Sequence, residues 1–147
     1  MFYAQYDSPV GPLTLASDGA ALTSLAFGPC GETTAVLPLF GDAFAWLDVY
    51  FSGRDPGPTP PLRPAGTAFQ QRVWDQLRTV PFGQTVSYGQ IANAVGCGSA
   101  RAVGRAAHFN PIALMIPCHR VVGADGSLTG FAGGLDVKRR LLAIEKA

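Results

Sequence analysis

The segment from residue 53 to residue 66 limits the possible folds more than any other feature of this chain. It reads GRDPGPTPPLRPAG and contains five prolines in fourteen residues. Because proline fixes φ and lacks an N–H group, it cannot continue a helix or a central strand. The segment therefore predicts a connection between an N-terminal α/β domain over 1–60 and a C-terminal domain over 67–147. A chain of 147 residues is long enough for two such domains.

The first part has the pattern of a small antiparallel sheet followed by a helix. Residues 2–28 alternate apolar and polar side chains, with the turn signals SP, GP and DG at positions 8, 11 and 18. This pattern predicts an antiparallel meander. Residues 41–53 place apolar side chains at helical spacing up to Gly53, which predicts one helix. The fold class expected for the whole chain is α+β.

The second part is predicted to be mostly helical. Threonine and serine side chains accept hydrogen bonds from the free N–H groups that begin a helix. The candidate N-caps are Thr67 for a helix over 68–80, Ser87 for a helix that begins at residue 88, and Ser99 for a helix over 100–108. The apolar run 112–122 predicts an extended segment that bends at Pro117, because proline fixes φ and lacks the N–H group that a regular central strand needs. A closing helix is predicted over 135–147, with Val137, Leu141, Leu142 and Ile144 on its apolar side.

Two of these helices are separated only by a short glycine-containing turn, which is typical of a helix-turn-helix. The second helix consists mainly of alanine and glycine, with Arg101 and Arg105 at i, i+4 spacing. Such a helix can approach a DNA groove closely. The alternative is an αα-hairpin packed in a bundle.

Charge and cysteine content narrow the class of protein. Residues 1–60 hold one arginine and six acidic residues, whereas residues 61–147 hold ten basic and four acidic residues. A basic half suggests contact with a polyanion, although uneven surface charge alone would also explain it. Three widely spaced cysteines do not form a disulfide framework and indicate a reducing compartment. No bilayer-length apolar run and no secretory signal are apparent.

The stretch IPCHRVVG, residues 116–123, is the candidate reactive site. A thiolate is the reactive form of cysteine, and a neighbouring histidine or positive charge produces it, as His119 and Arg120 could do for Cys118. In a regular strand Cys118 and His119 would point to opposite faces, so a proton transfer between them needs a turn or a water. The alternatives do not involve chemistry. Cys118 would then be an inert core residue, His119 a buried histidine with its hydrogen bonds made inside the core, and Arg120 the partner of Asp125 or Asp136 in a structural ion pair.

This stretch carries a resemblance to a known family. PCHRVVG is preceded by Asn110-Pro111 and followed by GFAGGLDVKRRLLAIE, and the segment FQQRVWDQLRTVPFGQTVSYGQIANAVG comes earlier in the chain. Together these residues resemble the O6-alkylguanine-DNA alkyltransferases. The match covers about 67–147 strongly and the first sixty residues loosely. It implies a ribonuclease H-like N-terminal domain and a winged-helix-like C-terminal domain.

The resemblance implies single-use transfer of an alkyl group from O6 of guanine in double-stranded DNA to Cys118, with O4-alkylthymine as a second candidate substrate. It implies that His119 deprotonates the thiol through a water, that Glu145 orients His119 and that Asn110 holds the active-site turn. Tyr88 would donate to the guanine, and Arg101 would fill the space left by the flipped nucleotide. The other residues implied at the substrate or DNA are Arg105, Arg120, Phe131, Ala132 and Gly133.

The sequence also departs from the family. Many members have a tyrosine at the position of Phe131 and some have a serine at the position of Ala132, so tolerance of large adducts and speed of transfer are in question. The first half offers Cys30 as a candidate zinc ligand and no histidine, so we expect no metal, and no cofactor is needed. We expect a monomer in a bacterial or archaeal cytoplasm, associated with the nucleoid.

Three alternatives stay open on the sequence alone. A damage-flagging relative without chemistry is disfavoured by the presence of Cys118. A Cys–His hydrolase would turn over and needs an oxyanion hole. A helix-turn-helix regulator would be sequence-specific and would usually dimerise.

Overall fold

A computed structural model describes residues 1–32, 37–128, 130, 131 and 133–146. The first part forms an antiparallel meander of β1 (Phe2–Ser8), β2 (Gly11–Ser17) and β3 (Leu22–Phe27), in that spatial order. The turn between β1 and β2 pairs Ser8 with Gly11, whose φ of 104° is the left-handed conformation that glycine adopts without strain. The predicted meander is confirmed.

Helix α1 (Pro38–Phe51) follows the sheet. It begins three residues before the predicted start because Pro38 occupies the first helical turn, where its missing N–H costs nothing. It ends two residues before Gly53, which has a φ of 84°. The expected helix is confirmed with shifted bounds.

The helices of the second part are α2 (Ala68–Leu77), α3 (Tyr88–Ala94), α4 (Ala100–His108) and α5 (Leu135–Lys146). All three predicted caps are confirmed: Thr67, Ser87 and Ser99 accept hydrogen bonds from the N–H groups of Gln70, Gln90 and Ala102. Helix α2 ends three residues before Val80, in a turn that precedes Pro81. The helix pair α3 and α4 forms the expected helix-turn-helix arrangement.

The predicted extended path over 112–122 is wrong for most of its length, whereas the predicted bend at Pro117 is confirmed. Ile112 forms an isolated bridge with Leu25, residues 113–115 form turns with Leu114 at a φ of 70°, and Cys118–Arg120 form one turn of 3₁₀ helix. Only β5 (Val121–Val122) is extended, and it pairs in parallel with β4 (Val86–Ser87). Pro117 cannot donate to a ladder, and its ψ of 65° bends the chain away from an extended path.

Both parts contribute to one contiguous apolar core. Strand β3 contacts the second part directly, since the N–H of Leu25 donates to the carbonyl of Pro111 at 2.9 Å and the N–H of Ala113 donates to the carbonyl of Leu25 at 3.0 Å. Tyr50 and Trp74, from the two parts, are among the largest fully buried side chains. This packing fixes the first part against the segment that carries Cys118. Within the described residues, no helix has the length and apolarity to cross a bilayer.

Candidate active site

The turn before Cys118 is held by the side chain of Asn110. Its Nδ2 donates to the carbonyl of Ile116 at 2.7 Å, and its Oδ1 accepts from the N–H of Ile112 at 3.0 Å. An amide can make both bonds because it carries a donor and an acceptor. These bonds close the turn that contains Leu114 and set the position at which Cys118 begins the 3₁₀ turn.

Cys118 lies at a cavity of about 260 Å³ between the two parts of the protein. Residues of β3, of the end of α4 and of the segment after residue 130 line it, among them Phe27, His108, Asn110 and Phe131. The thiol is buried, with 8% of the residue exposed. Burial raises the pKa of the Cys118 thiol, while the Asn110 amide, the Lys138 charge and nearby backbone groups act in the opposite direction. The thiolate therefore requires a base.

His119 and Glu145 form a buried pair beside Cys118. The Nε2 of His119 is hydrogen-bonded to Oε2 of Glu145, and both side chains are almost fully enclosed. Oε2 also accepts from the hydroxyl of Tyr50 at 2.7 Å, while Oε1 accepts from Arg120 Nε at 2.8 Å and from the N–H of Gly83 at 3.0 Å. The carboxylate is therefore surrounded by donors, as a buried charge requires.

The protonation of this pair follows from its surroundings. Burial lowers the pKa of His119, more strongly than the hydrogen bond and charge of Glu145 raise it, so the imidazole is neutral near pH 7. Although burial opposes ionisation of Glu145, its hydrogen bonds and its contact with His119 lower the pKa of the carboxyl to about 2. Nδ1 of His119 makes no hydrogen bond to the described residues. A neutral imidazole that donates through Nε2 presents Nδ1 as an acceptor and a base.

Arg120 does not lie on a DNA-facing surface, and this corrects the expectation for it. Its guanidinium is bound by Glu145 and donates to the carbonyl of Val80 at 2.8 Å, with 8% of the side chain exposed. The partner is neither Asp125 nor Asp136, since helix α5 turns Glu145 inward and leaves Asp136 exposed. Arg120 therefore balances the charge of Glu145.

Sequence reasoning missed two polar residues near the site. Tyr50 lies within the helical pattern of residues 41–53 and was given no role there, although it contacts both Glu145 and His119. Lys138 is fully buried and donates to the carbonyl of Val121 at 2.7 Å. Lys138, Leu141 and Glu145 share one face at i, i+3, i+7 spacing. This spacing was the signal in the sequence that could have shown that Lys138 and Glu145 lie on the same buried helix face as Leu141.

The predicted DNA-contacting residues of α3 and α4 lie on an outer groove. Arg101 and Arg105 are exposed and line it together with Tyr88, Gly104 and Phe109. Phe109 is 61% exposed, which is unusual for a large apolar side chain. A hypothetical Cβ on Gly104 would lie 3.7 Å from the Tyr88 ring, which is ordinary van der Waals contact, so Gly104 of α4 lies beside the ring of Tyr88 in this groove.

Phe131 lines the cavity of Cys118, and its ring packs edge-on against Phe27 with centroids 5.5 Å apart. Gly133 fits behind these rings, because a Cβ there would come within 2.8 Å of Phe27. Ala132 lies outside the described residues. The described residues contain no group of three or more His, Cys, Asp or Glu that could hold a metal ion.

The comparisons with known proteins agree along the whole chain. Residues 1–64 match the ribonuclease-like domain, and residues 68–147 the DNA binding domain, of 6-O-methylguanine DNA methyltransferase. A methylated-DNA–protein-cysteine methyltransferase of Mycobacterium leprae is 50% identical, with 95% of this chain and 89% of that protein covered. The corresponding protein of Methanosarcina acetivorans is 43% identical, with 99% and 98% covered.

A solved structure of similar fold is the Mycobacterium tuberculosis OGT in complex with DNA. It has a TM-score of 0.90 and 47% identity, with 99% of this chain and 93% of that chain covered. The fold and the buried thiol site thus define a DNA alkyltransferase architecture. The chain belongs to the 6-O-methylguanine DNA methyltransferase family, which confirms the resemblance seen in the sequence.

Proposed function

We propose that this protein repairs double-stranded DNA by transferring the alkyl group of O6-alkylguanine to Sγ of Cys118, once per molecule. The observation that carries the proposal is a thiol that lines a cavity and is followed directly in sequence by His119, which forms a buried pair with Glu145. Nucleophile, base and orienting carboxylate are the three parts that an activated thiol needs. Family membership supports the same reaction.

The step balances without a cofactor. Nδ1 of His119 takes the thiol proton through a bridging water, and the thiolate attacks the alkyl carbon. The S–C bond forms as the C–O bond breaks, and its electron pair stays on the guanine, which then takes up a proton. No group in this scheme removes the alkyl from sulfur, so Cys118 is consumed.

The outer groove supports DNA as the partner. A guanine stacked in a duplex cannot bring O6 to a buried thiol, so the nucleotide must rotate out of the helix. Arg101 and Arg105 are exposed along α4, whose small residues allow close approach to a groove. In this proposal Arg101 fills the space left in the stack, Tyr88 donates to the flipped nucleotide, and Phe131 with Gly133 shapes the wall beside the alkyl group.

We further propose that the protein acts as a monomer at chromosomal DNA. One α4 helix and one thiol serve one damaged base, so the chemistry requires no second copy. Light scattering would measure the number of copies in the free protein and the number of copies bound to a short duplex, and we expect one in each case.

Intact-mass spectrometry with a duplex that contains one O6-methylguanine tests the reaction. We expect a gain of one methylene per protein, mapped to Cys118, with no further gain at excess DNA. Cys97→Ser and Cys30→Ser are matched controls that should react fully, whereas Cys118→Ala should not react. Continued release of methyl groups would indicate a hydrolase. Binding without any gain in mass would indicate a protein that only recognises damage. A parallel duplex with O4-methylthymine tests the second candidate substrate.

A further inference from the structure

Tyr50 extends the His119–Glu145 pair from the other half of the molecule. It lies near the end of α1, in the ribonuclease-like part, and is fully buried. The rings of Trp46, Phe51 and Phe82 pack around it at centroid distances of 5.1 to 5.9 Å. Its hydroxyl donates to Oε2 of Glu145 at 2.7 Å and lies 3.3 Å from Nε2 of His119. An apolar cage thus aims one polar atom at the pair.

The hydroxyl has a defined donor and acceptor role. Burial, together with the charge and hydrogen bond of Glu145, raises the pKa of Tyr50, so the phenol keeps its proton. That single proton is directed at Glu145, and toward His119 the oxygen can therefore only accept. Both Oε2 of Glu145 and the Tyr50 oxygen then face Nε2. The hydrogen of the neutral imidazole belongs on Nε2, and Nδ1 is left as the base.

We propose that Tyr50 is a positioning residue for alkyl transfer, which orients the Glu145 carboxylate that holds His119 in its Nε2–H tautomer and shares the negative charge of that carboxylate. The inference rests on the proposed function for its kinetic test. It assigns a part in the chemistry to the N-terminal half, which otherwise contributes only a wall of the cavity through β3.

Removal of the Tyr50 hydroxyl should raise the pKa of His119. The charged groups around His119 are Glu145, which favours the imidazolium, and Arg120 and Lys138, which disfavour it; Cys118 adds a titratable thiol. Without Tyr50, Oε2 of Glu145 loses a donor, and its charge acts more strongly on His119. The imidazolium gains stability, so the pKa of His119 rises. The base is then protonated, and inactive, up to a higher pH.

Tyr50→Phe is the test, because it keeps the ring and deletes only the hydroxyl. The matched control is Tyr6→Phe, which removes a tyrosine hydroxyl that donates to Asp48, also on α1, at 2.5 Å and away from the site. Single-turnover transfer from an O6-methylguanine duplex is followed from pH 5 to pH 9. We expect the acid limb of the Tyr50→Phe profile to move up by about one pH unit, the size expected for one lost hydrogen bond to a charged group. Tyr6→Phe should keep the wild-type limb.

Nitrogen-15 NMR of the free protein measures the tautomer without DNA. The chain has two histidines, and His108→Gln assigns the signals. We expect wild-type His119 to show one protonated and one bare ring nitrogen, and Tyr50→Phe to show a higher titration midpoint. An unmoved or lowered acid limb together with an unmoved or lowered titration midpoint would overturn the role of Tyr50. Failure of wild-type protein to gain the methyl group would instead overturn the proposed function, while the NMR result would still test this inference.

Discussion

The buried network around Glu145 and the exposed face of α4 differ in how their charges are compensated. The buried network, called the relay below, consists of Tyr50 from α1, His119 and Arg120 from the 3₁₀ turn, and Glu145 from α5. Each charge in it has a partner. On α4, Arg101 and Arg105 are exposed and form no ion pair with any residue in the described ranges. Charges removed from water need compensation within the fold, whereas charges meant for a polyanion stay uncompensated until it binds. A substitution in the relay should therefore damage stability and chemistry together, whereas one on α4 should affect only DNA-dependent steps.

Replacing the carboxylate at the centre of the relay should have the largest effect. Glu145→Gln removes the charge that pairs with buried Arg120, and breaking a buried pair costs about 3–5 kcal/mol. Loss of an oriented general base typically slows a reaction by about 100-fold or more. We expect both losses, measured by urea unfolding and by single-turnover methyl transfer.

The matched control on the same helix is Arg139→Gln. It removes an exposed ion pair with Asp136, and such pairs contribute about 0.5 kcal/mol or less. Transfer by this variant should be unchanged. A stable Glu145→Gln protein with normal transfer would show that the relay is not the source of the base.

Acid should weaken the fold through the same carboxyl. The pKa of Glu145 is lowered from 4.5 to about 2 in the folded protein, so the unfolded chain binds the proton first as pH falls. The stabilisation is fully present above about pH 4.5 and is lost as pH falls toward 2, a change on the order of 3 kcal/mol. Urea midpoints between pH 6 and pH 2.5 measure it. In Glu145→Gln this part of the pH dependence should be absent, and an equally steep acid loss there would assign it to other groups.

The sequence predicted the outer face well because that face is local. Caps at Ser87 and Ser99 lie within a few residues of the helices they start, and both arginines belong to one helix. Around the thiol, the bend at Pro117 was predicted, but an extended path before it was wrong, because the side chain of Asn110 closes a turn there through hydrogen bonds that spacing does not show. Tyr50 could not be placed from spacing, since its partner is ninety-five positions away. Cys118 and His119 were candidates from their adjacency in the sequence, whereas the role of Glu145 came from family resemblance alone.

On the exposed face, Arg101→Ala should slow repair without weakening the fold. Arg101 is exposed in the first turn of α4, so its loss should change the free energy of unfolding by less than about 0.5 kcal/mol. Unstacking a base costs a few kcal/mol. Since we propose that Arg101 offsets this cost by filling the stack, its loss should slow transfer from duplex by about tenfold. Transfer from single-stranded oligonucleotide should change little. Arg54→Ala, an exposed arginine of the first part, is the control, and an equal loss on both substrates would contradict a role in flipping.

Arg105→Ala should have the smallest effect, and it separates the two arginines. Arg105 lies one turn further along α4 and is exposed on the same groove. If it contacts a phosphate, its loss should weaken duplex binding a few-fold for all sequences and lower the slope of log K against log salt by about 1. The transfer rate at saturating DNA should stay unchanged, because a phosphate contact positions the duplex without helping the base leave the stack. Fluorescence anisotropy at several salt concentrations measures the slope. A slower transfer rate at saturating DNA, with an unchanged salt slope, would instead assign Arg105 to base flipping together with Arg101. The two arginines of α4 would then have the same role.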